Sequence, residues 1–208
     1  MQRFVLQQNI ERFRARLAGA PDEGDRKWLR RMLATAEREL ALLNAGQTGV
    51  RPRVGPGAVL PSDPESRQAL LEAFRRDYGG SPKPAALIDP EPGLLIVEAN
   101  PTYEQAVNLR RERMAGQPLF LLFPDNPDDP EAHGVSHLYD SLRAVAETGR
   151  PHAMADQRYD IRDGDGRFVE RYWRLLNSPM TDAFGRLVFL LHVAEEVTED
   201  VLKARPPG

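Results

Sequence analysis

Cysteine is absent from the 208 residues. Disulfides, thiolate metal sites and cysteine nucleophiles are thereby excluded. Long apolar runs are missing too: none approaches the roughly 18 consecutive residues of a membrane-spanning helix, and the N-terminal segment around Arg3, Gln7 and Gln8 has no signal-peptide core. The expectation is a cytoplasmic chain without membrane contact. Charges nearly balance, with a net value of −3. Residues 1–45 carry nine Lys/Arg against six Asp/Glu, which gives +3 and leaves −6 for the remainder. So small an excess lacks the dense basic stripe of a dedicated nucleic-acid surface. No phosphate-binding glycine loop is visible, and no serine has the strand-turn-helix context of a hydrolase nucleophile. A non-enzymatic role is therefore expected.

An apolar fraction of 41% is sufficient for an ordinary core, and the length fits one domain with an appendage. Leu6, Ile10, Phe13 and Leu17 recur at helical spacing, as do Leu29, Leu33, Ala36, Leu40 and Leu43 after the break at Pro21-Asp22-Glu23-Gly24-Asp25. This pattern predicts an αα-hairpin over residues 1–45. Trp28 and Met32 widen its apolar stripe beyond what a partner helix alone would cover. Residues 46–63, rich in Gly and Pro, read as a linker, and 64–208 as the main domain, opened by an amphipathic helix from Pro64 to Tyr78.

Leu94-Leu95-Ile96-Val97 follows a turn cluster and reads as a short buried strand. Asn100 can then cap a helix whose first residue is Pro101. A second helix is expected over Leu138–Glu147. Three longer strands are expected at His152–Arg162, Phe168–Asn177 and Leu187–Val197, separated by Asp163-Gly164-Asp165-Gly166 and by Thr181 to Gly185, both with hairpin chemistry. On the last strand Val188, Leu190, His192 and Ala194 would share one face, with Leu187, Phe189, Leu191 and Val193 on the other. Both faces are apolar, so something must cover the outside of the sheet: the hairpin, the Pro64–Tyr78 helix or a second subunit.

Asn100-Pro101, Gly116, Tyr172-Trp173 with Asn177-Ser178-Pro179, and the closing Glu196-Val197-Thr198 together resemble the PAS domain family over roughly residues 70–198. The closing motif departs from the usual Asp-Ile/Val-Thr by having Glu196. The resemblance implies an α+β PAS fold: a five-stranded antiparallel sheet with helices on one face enclosing a pocket, here preceded by the αα-hairpin. It also implies a stand-alone bacterial sensory or regulatory module that binds a small ligand or a protein partner and signals through dimer or docking contacts. Only about two helical turns follow Thr198, so output is expected from a surface of this chain. The lack of cysteine excludes the cysteinyl-flavin adduct of the light-sensing branch.

Within that pattern Trp173, Leu175 and Asn177 would point inward and Tyr172, Arg174 and Leu176 outward. The expected pocket residues are Tyr103, Leu138, Leu142, Arg158, Trp173, Leu175, Asn177, Leu190 and His192. Asn177 and His192 are the polar groups expected inside, where each needs a partner. The expected interface comprises Leu6, Ile10, Phe13, Trp28, Met32, Phe189 and Leu191, serving a homodimer or an unidentified signalling protein. A ligand-free adaptor with a filled core is one alternative. The other is a haem-binding gas or redox sensor, a PAS branch this chain resembles in part: His137 would be the iron ligand and Arg158 the gas contact. His137 sits about one residue from the required position, which rotates a helical side chain by ~100°. No dedicated metal site is expected. Asp163-Gly164-Asp165-Gly166 lacks the later ligands of a calcium loop, and Asp125, Asp128, Asp129 and Glu131 read as a solvated acidic loop.

Overall fold

The computed structural model describes residues 1–19, 22–50 and 63–204. Most of the expected linker, together with the Pro21 part of the hairpin break, lies outside these residues. Helices α1 (Gln2–Ala18) and α2 (Glu23–Thr48) form the N-terminal hairpin. Asp22 caps α2 by accepting the Asp25 N–H. Helix α2 runs to Thr48, so residues 46–48 continue the helix instead of starting a linker. The extension has a packing cause. Ala41, Ala45 and Val50 enter the main core, the Gly93 N–H donates to the Ala45 carbonyl at 2.8 Å, and the Val50 N–H donates to the Pro90 carbonyl at 2.9 Å. Gly49 between them has φ 59° and closes against Pro90 and Glu91, where a Cβ would strike backbone.

Helix α3 (Pro64–Tyr78) starts with Asp63 as cap and Pro64 in the first turn. Strands β1 (Ala85–Ile88) and β2 (Ile96–Ala99) pair antiparallel. The second begins two residues later than the apolar run suggested, because Leu94 sits at φ 49° in the turn after Gly93. The short helices α4 (Pro101–Val107), α5 (Arg111–Met114) and α6 (Leu119–Leu122) follow, then α7 (Gly134–Thr148). The first expected long strand is broken into β3 (His152–Ala153), β4 (Gln157–Arg158) and β5 (Ile161–Arg162). The second is split into β6 (Phe168–Val169) and β7 (Tyr172–Thr181), while β8 (Leu187–Glu196) is continuous and leads into α8 (Thr198–Ala204). The breaks occur because β5 and β6 leave the main sheet to pair with each other, turning about Asp163 and Gly166.

The main sheet is antiparallel in the order β2-β1-β8-β7, with β3 and β4 both pairing with β7. Counting β3 and β4 separately gives six strands; as one interrupted edge they give the expected five. Helices α4 to α7 cover one face and α2 joins them. Against the other face α3 packs Phe74, with Leu70, Leu71 and Tyr78, on Ala85, Leu87, Val188 and Phe189. Thus α3 supplies the outer cover that the two-sided apolar strand required. Val188 lies on this outer face, opposite to its expected side. The reason is a bulge: Met180 pairs with Phe189 but Thr181 pairs with Leu187, which leaves Val188 as an extra residue and inverts the alternation locally.

Arg174 and Leu176 are exposed and Trp173, Leu175 and Asn177 are buried, but Tyr172, expected outward, is buried as well, its hydroxyl donating to Glu170 Oε1 at 2.9 Å. The Trp173 Nε1–H donates to the Tyr159 carbonyl at 2.8 Å. Trp173→Ala is expected to remove about 3–5 kcal/mol of stability through lost burial and the cavity left behind; urea unfolding would measure it, and an unchanged midpoint would contradict this packing.

Candidate functional site

Two neighbouring strands and one helix build a buried polar line. Asn177 on β7 pairs in register with His192 on β8, and both side chains face α7. The Asn177 Oδ1 accepts from the His192 Nδ1 at 2.7 Å. An amide oxygen only accepts, so this imidazole carries its proton on Nδ1 and keeps Nε2 as an acceptor. The Asn177 Nδ2–H donates to Ser141 Oγ at 2.7 Å, and Ser141 Oγ lies 2.8 Å from His152 Nδ1. Since the hydroxyl already accepts from Asn177, its own proton is free to be donated to His152. His152 is exposed on the edge strand, whereas Asn177, Ser141 and His192 are buried. The result is three consecutive hydrogen bonds from the protein surface to the middle of the core.

At the inner end His192 meets a small cavity of about 30 Å³, enough for a water-sized guest. Of the nine expected pocket residues, Tyr103, Leu138, Trp173, Leu175 and His192 line it. Leu142, Leu190 and Asn177 are fully buried beside it. Arg158 is a correction: its guanidinium turns outward and donates to both carboxylate oxygens of Asp160 at 2.8 Å. The strand break explains the error, since Gln157 and Arg158 pair with Trp173 and Tyr172 at the sheet edge before the chain turns away. Tyr159 and Ile161 take the lining positions instead. Their every-other-residue spacing was a readable sign of an inward face. The Tyr159 hydroxyl donates to the Phe123 carbonyl, and its ring packs so closely on Gly134 that a Cβ there would overlap it.

His137 is the second correction. It lies in the first turn of α7, which begins four residues before the expected start, and it is exposed. Its Nδ1 is 3.3 Å from Gln157 Oε1, outside the cavity wall, so the haem reading loses its iron ligand. Among the described residues no three His, Asp or Glu side chains gather as metal ligands. Several interface candidates also move inward. Leu6 and Ile10 are buried by the hairpin and Phe189 by α3, while Leu191 is only partly exposed. Trp28 remains half exposed and contacts Phe13 edge-on at 6.3 Å, with Met32 partly covered.

Electrostatics at the site follow burial. Desolvation lowers the His192 pKa to about 4 and raises that of Tyr103, so both are neutral near pH 7. At the closing motif, Glu196 accepts from the Thr198 hydroxyl at 2.9 Å, and Thr198 Oγ1 accepts the Tyr172 N–H at 3.0 Å. Glu196 also pairs with Arg171 at 3.1 Å. The longer carboxylate therefore still ties the end of β8 to the start of α8.

Residues 79–202 match the family model described as the PAS fold. The chain belongs to the PAS family. Solved structures with a similar fold include a PAS domain from Colwellia psychrerythraea, 16% identical with a TM-score of 0.46, covering 62% of this chain and 98% of that one. The Rhodobacter sphaeroides LOV protein is 16% identical with a TM-score of 0.49, covering 62% of this chain and 68% of that one. An RNA-binding light-oxygen-voltage receptor is 21% identical with a TM-score of 0.48, and the match covers 89% of this PAS chain but 47% of the receptor. No curated protein matches the sequence.

Two outcomes test the polar line. Ser141→Ala leaves the Asn177 amide without its hydroxyl partner and is expected to cost about 1–3 kcal/mol, measurable by urea unfolding. For His192 the sign follows from its depressed pKa. The unfolded imidazole, near its ordinary 6.5, takes up a proton before the native one does, so its stabilisation is complete above about pH 6.5 and is lost as pH falls toward 4. Between about pH 7 and pH 4.5 the wild type should lose on the order of 2–3 kcal/mol more than His192→Leu, read from unfolding curves at both values.

Proposed function

We propose that this PAS chain is a non-enzymatic cytoplasmic sensory or regulatory module whose output is a change in protein contacts. The observation that carries the reading is the hydrogen-bonded line from the cavity through His192, Asn177 and Ser141 to His152 at the surface. Buried polar groups cost stability unless they are satisfied, and here they are satisfied by one another in a continuous path. A change at either end, in what occupies the cavity or in what touches the edge strand, alters the proton arrangement that the other end meets.

The small cavity supports a module that works without a cofactor of haem or flavin size in this conformation. A volume of about 30 Å³ admits a water-sized guest between Tyr103 and His192, and larger guests require repacking. The same observation favours the second reading, a ligand-free adaptor in which the cavity is a tolerated polar packing defect. No helix among the described residues is long and apolar enough to cross a membrane. Contact with a partner or a second copy is proposed to use the hairpin surface, where Phe4 and Val5 on α1 and Trp28 and Leu42 on α2 stay exposed.

Native mass spectrometry of freshly purified protein reads both parts at once. The expected species is a homodimer carrying no retained molecule larger than water, with light scattering giving dimer mass at tens of micromolar. A monomer in both measurements would count against contact-based output through a second copy, and a retained molecule of cofactor size would overturn the closed-cavity reading.

A further inference from the structure

His133 and His137 take no part in the polar line, yet they form the densest pair of imidazoles in the chain. His133 occupies the N-cap position of α7 without a side-chain capping bond, and His137 follows four residues later, which puts the two rings on one face. Their centroids are 4.2 Å apart at an interplanar angle of 62°. Each ring is held through the same nitrogen. His133 Nδ1 lies 2.8 Å from the Glu131 carbonyl, and His137 Nδ1 lies 3.3 Å from Gln157 Oε1. Both partners are oxygens that only accept, so each imidazole donates from Nδ1 and carries its lone pair on Nε2. Histidines that ligate metals are oriented in this way, by a hydrogen bond from the nitrogen remote from the ion. Both rings are exposed, and they line a cleft of about 230 Å³ between α2 and α7 together with the carboxylates of Glu37 and Glu131.

We propose that His133 and His137 bind a late first-row divalent cation through their two Nε2 atoms, with water completing the shell. Imidazole suits Zn²⁺, Cu²⁺ and Ni²⁺. The pair supplies two protein ligands only, in keeping with the absence of a three-ligand cluster among the described residues. Glu37, on α2, is paired with Arg14 at 2.6 Å, and Arg30, which also lines the cleft, is paired with Glu23 at 2.9 Å, so neither charge is counted in the site and the two imidazoles are its protein ligands. The site lies where the hairpin meets the PAS core, on the far side of α7's first turn from the cavity, and is therefore independent of the function proposed above.

Calorimetric titration of the full chain with NiCl₂ and with ZnCl₂ tests the proposal. The expected result is about one equivalent bound per chain for at least one of the two ions, with binding abolished in His133→Ala and in His137→Ala. His133→Asn places a favoured N-cap residue at this position while removing the ligand, so it should also fail to bind while melting no lower than the wild type without metal. Absence of binding by the wild type for both ions, or binding unchanged in any of the three variants, would overturn the proposal.

Discussion

Burial of the central sheet on both faces is the constraint around which the molecule is arranged. Ala85 to Ile88 on β1 and Val188 to Leu190 on β8 are almost completely shielded from solvent. A strand with apolar side chains on both sides must be covered twice, and the chain meets this with different elements. Helices α4 to α7 close the inner face and α3 the outer one. Once α3 occupies the outer face, Phe189 is no longer available to a second subunit, and the exposed large apolar residues that remain are found mainly on the hairpin, with Leu121, Leu176, Phe184 and Leu202 scattered elsewhere.

Asn100 shows how one side chain joins the two layers. Its Oδ1 accepts the N–H groups of Tyr103 and Ala85, and its Nδ2 donates to the carbonyls of Tyr78 and Lys83. The same amide therefore caps α4, fixes the entry to β1 and holds the end of α3. All of its hydrogen-bonding capacity is used by backbone, which explains why a buried amide is tolerated there. Asn177 does the corresponding work on the far side of the sheet, but with side-chain partners. Side-chain partners can change protonation or rotamer where backbone cannot, so Asn100 serves as a fixed joint and Asn177 as part of a path that can respond.

The amphipathic hairpin is tied to the PAS core along the N-terminal half of α7. Near the first turn, Arg38 on α2 donates to the Ala132 carbonyl at 3.0 Å and lies 2.9 Å from the buried Asp125 carboxylate, which in turn accepts the Val135 N–H. Burial raises the Asp125 pKa, with Val135 and Arg38 opposing the shift. About one turn farther along α7, Tyr139 donates to the Gly49 carbonyl at 3.2 Å. Residues that read as an acidic loop in the sequence thus include one carboxylate that is a structural clamp, because Arg38, 87 positions earlier in the chain, comes to lie over it.

The sequence by itself determined the elements whose signals are local. The hairpin helices, the cap at Asn100, the turns at Asp163 and Asp182 and the inward set Trp173, Leu175 and Asn177 all follow from spacing, turn chemistry and alternation within a few residues. The family assignment rested on the same local features. Tertiary structure decided everything that depends on a single-residue phase or on a distant partner. The Val188 bulge inverted Leu187 and Val188 in a correctly located strand, and departure of β5 and β6 from the sheet put Arg158 outside and Tyr159 inside. The start of α7 at Gly134 set His137 in the cleft beside His133. Which residue covers a two-sided strand, and which serine lies between an amide and an imidazole, are facts about elements that meet across long sequence separations. Side-chain period fixes a face but not its occupant, and only the packed chain supplies the occupant.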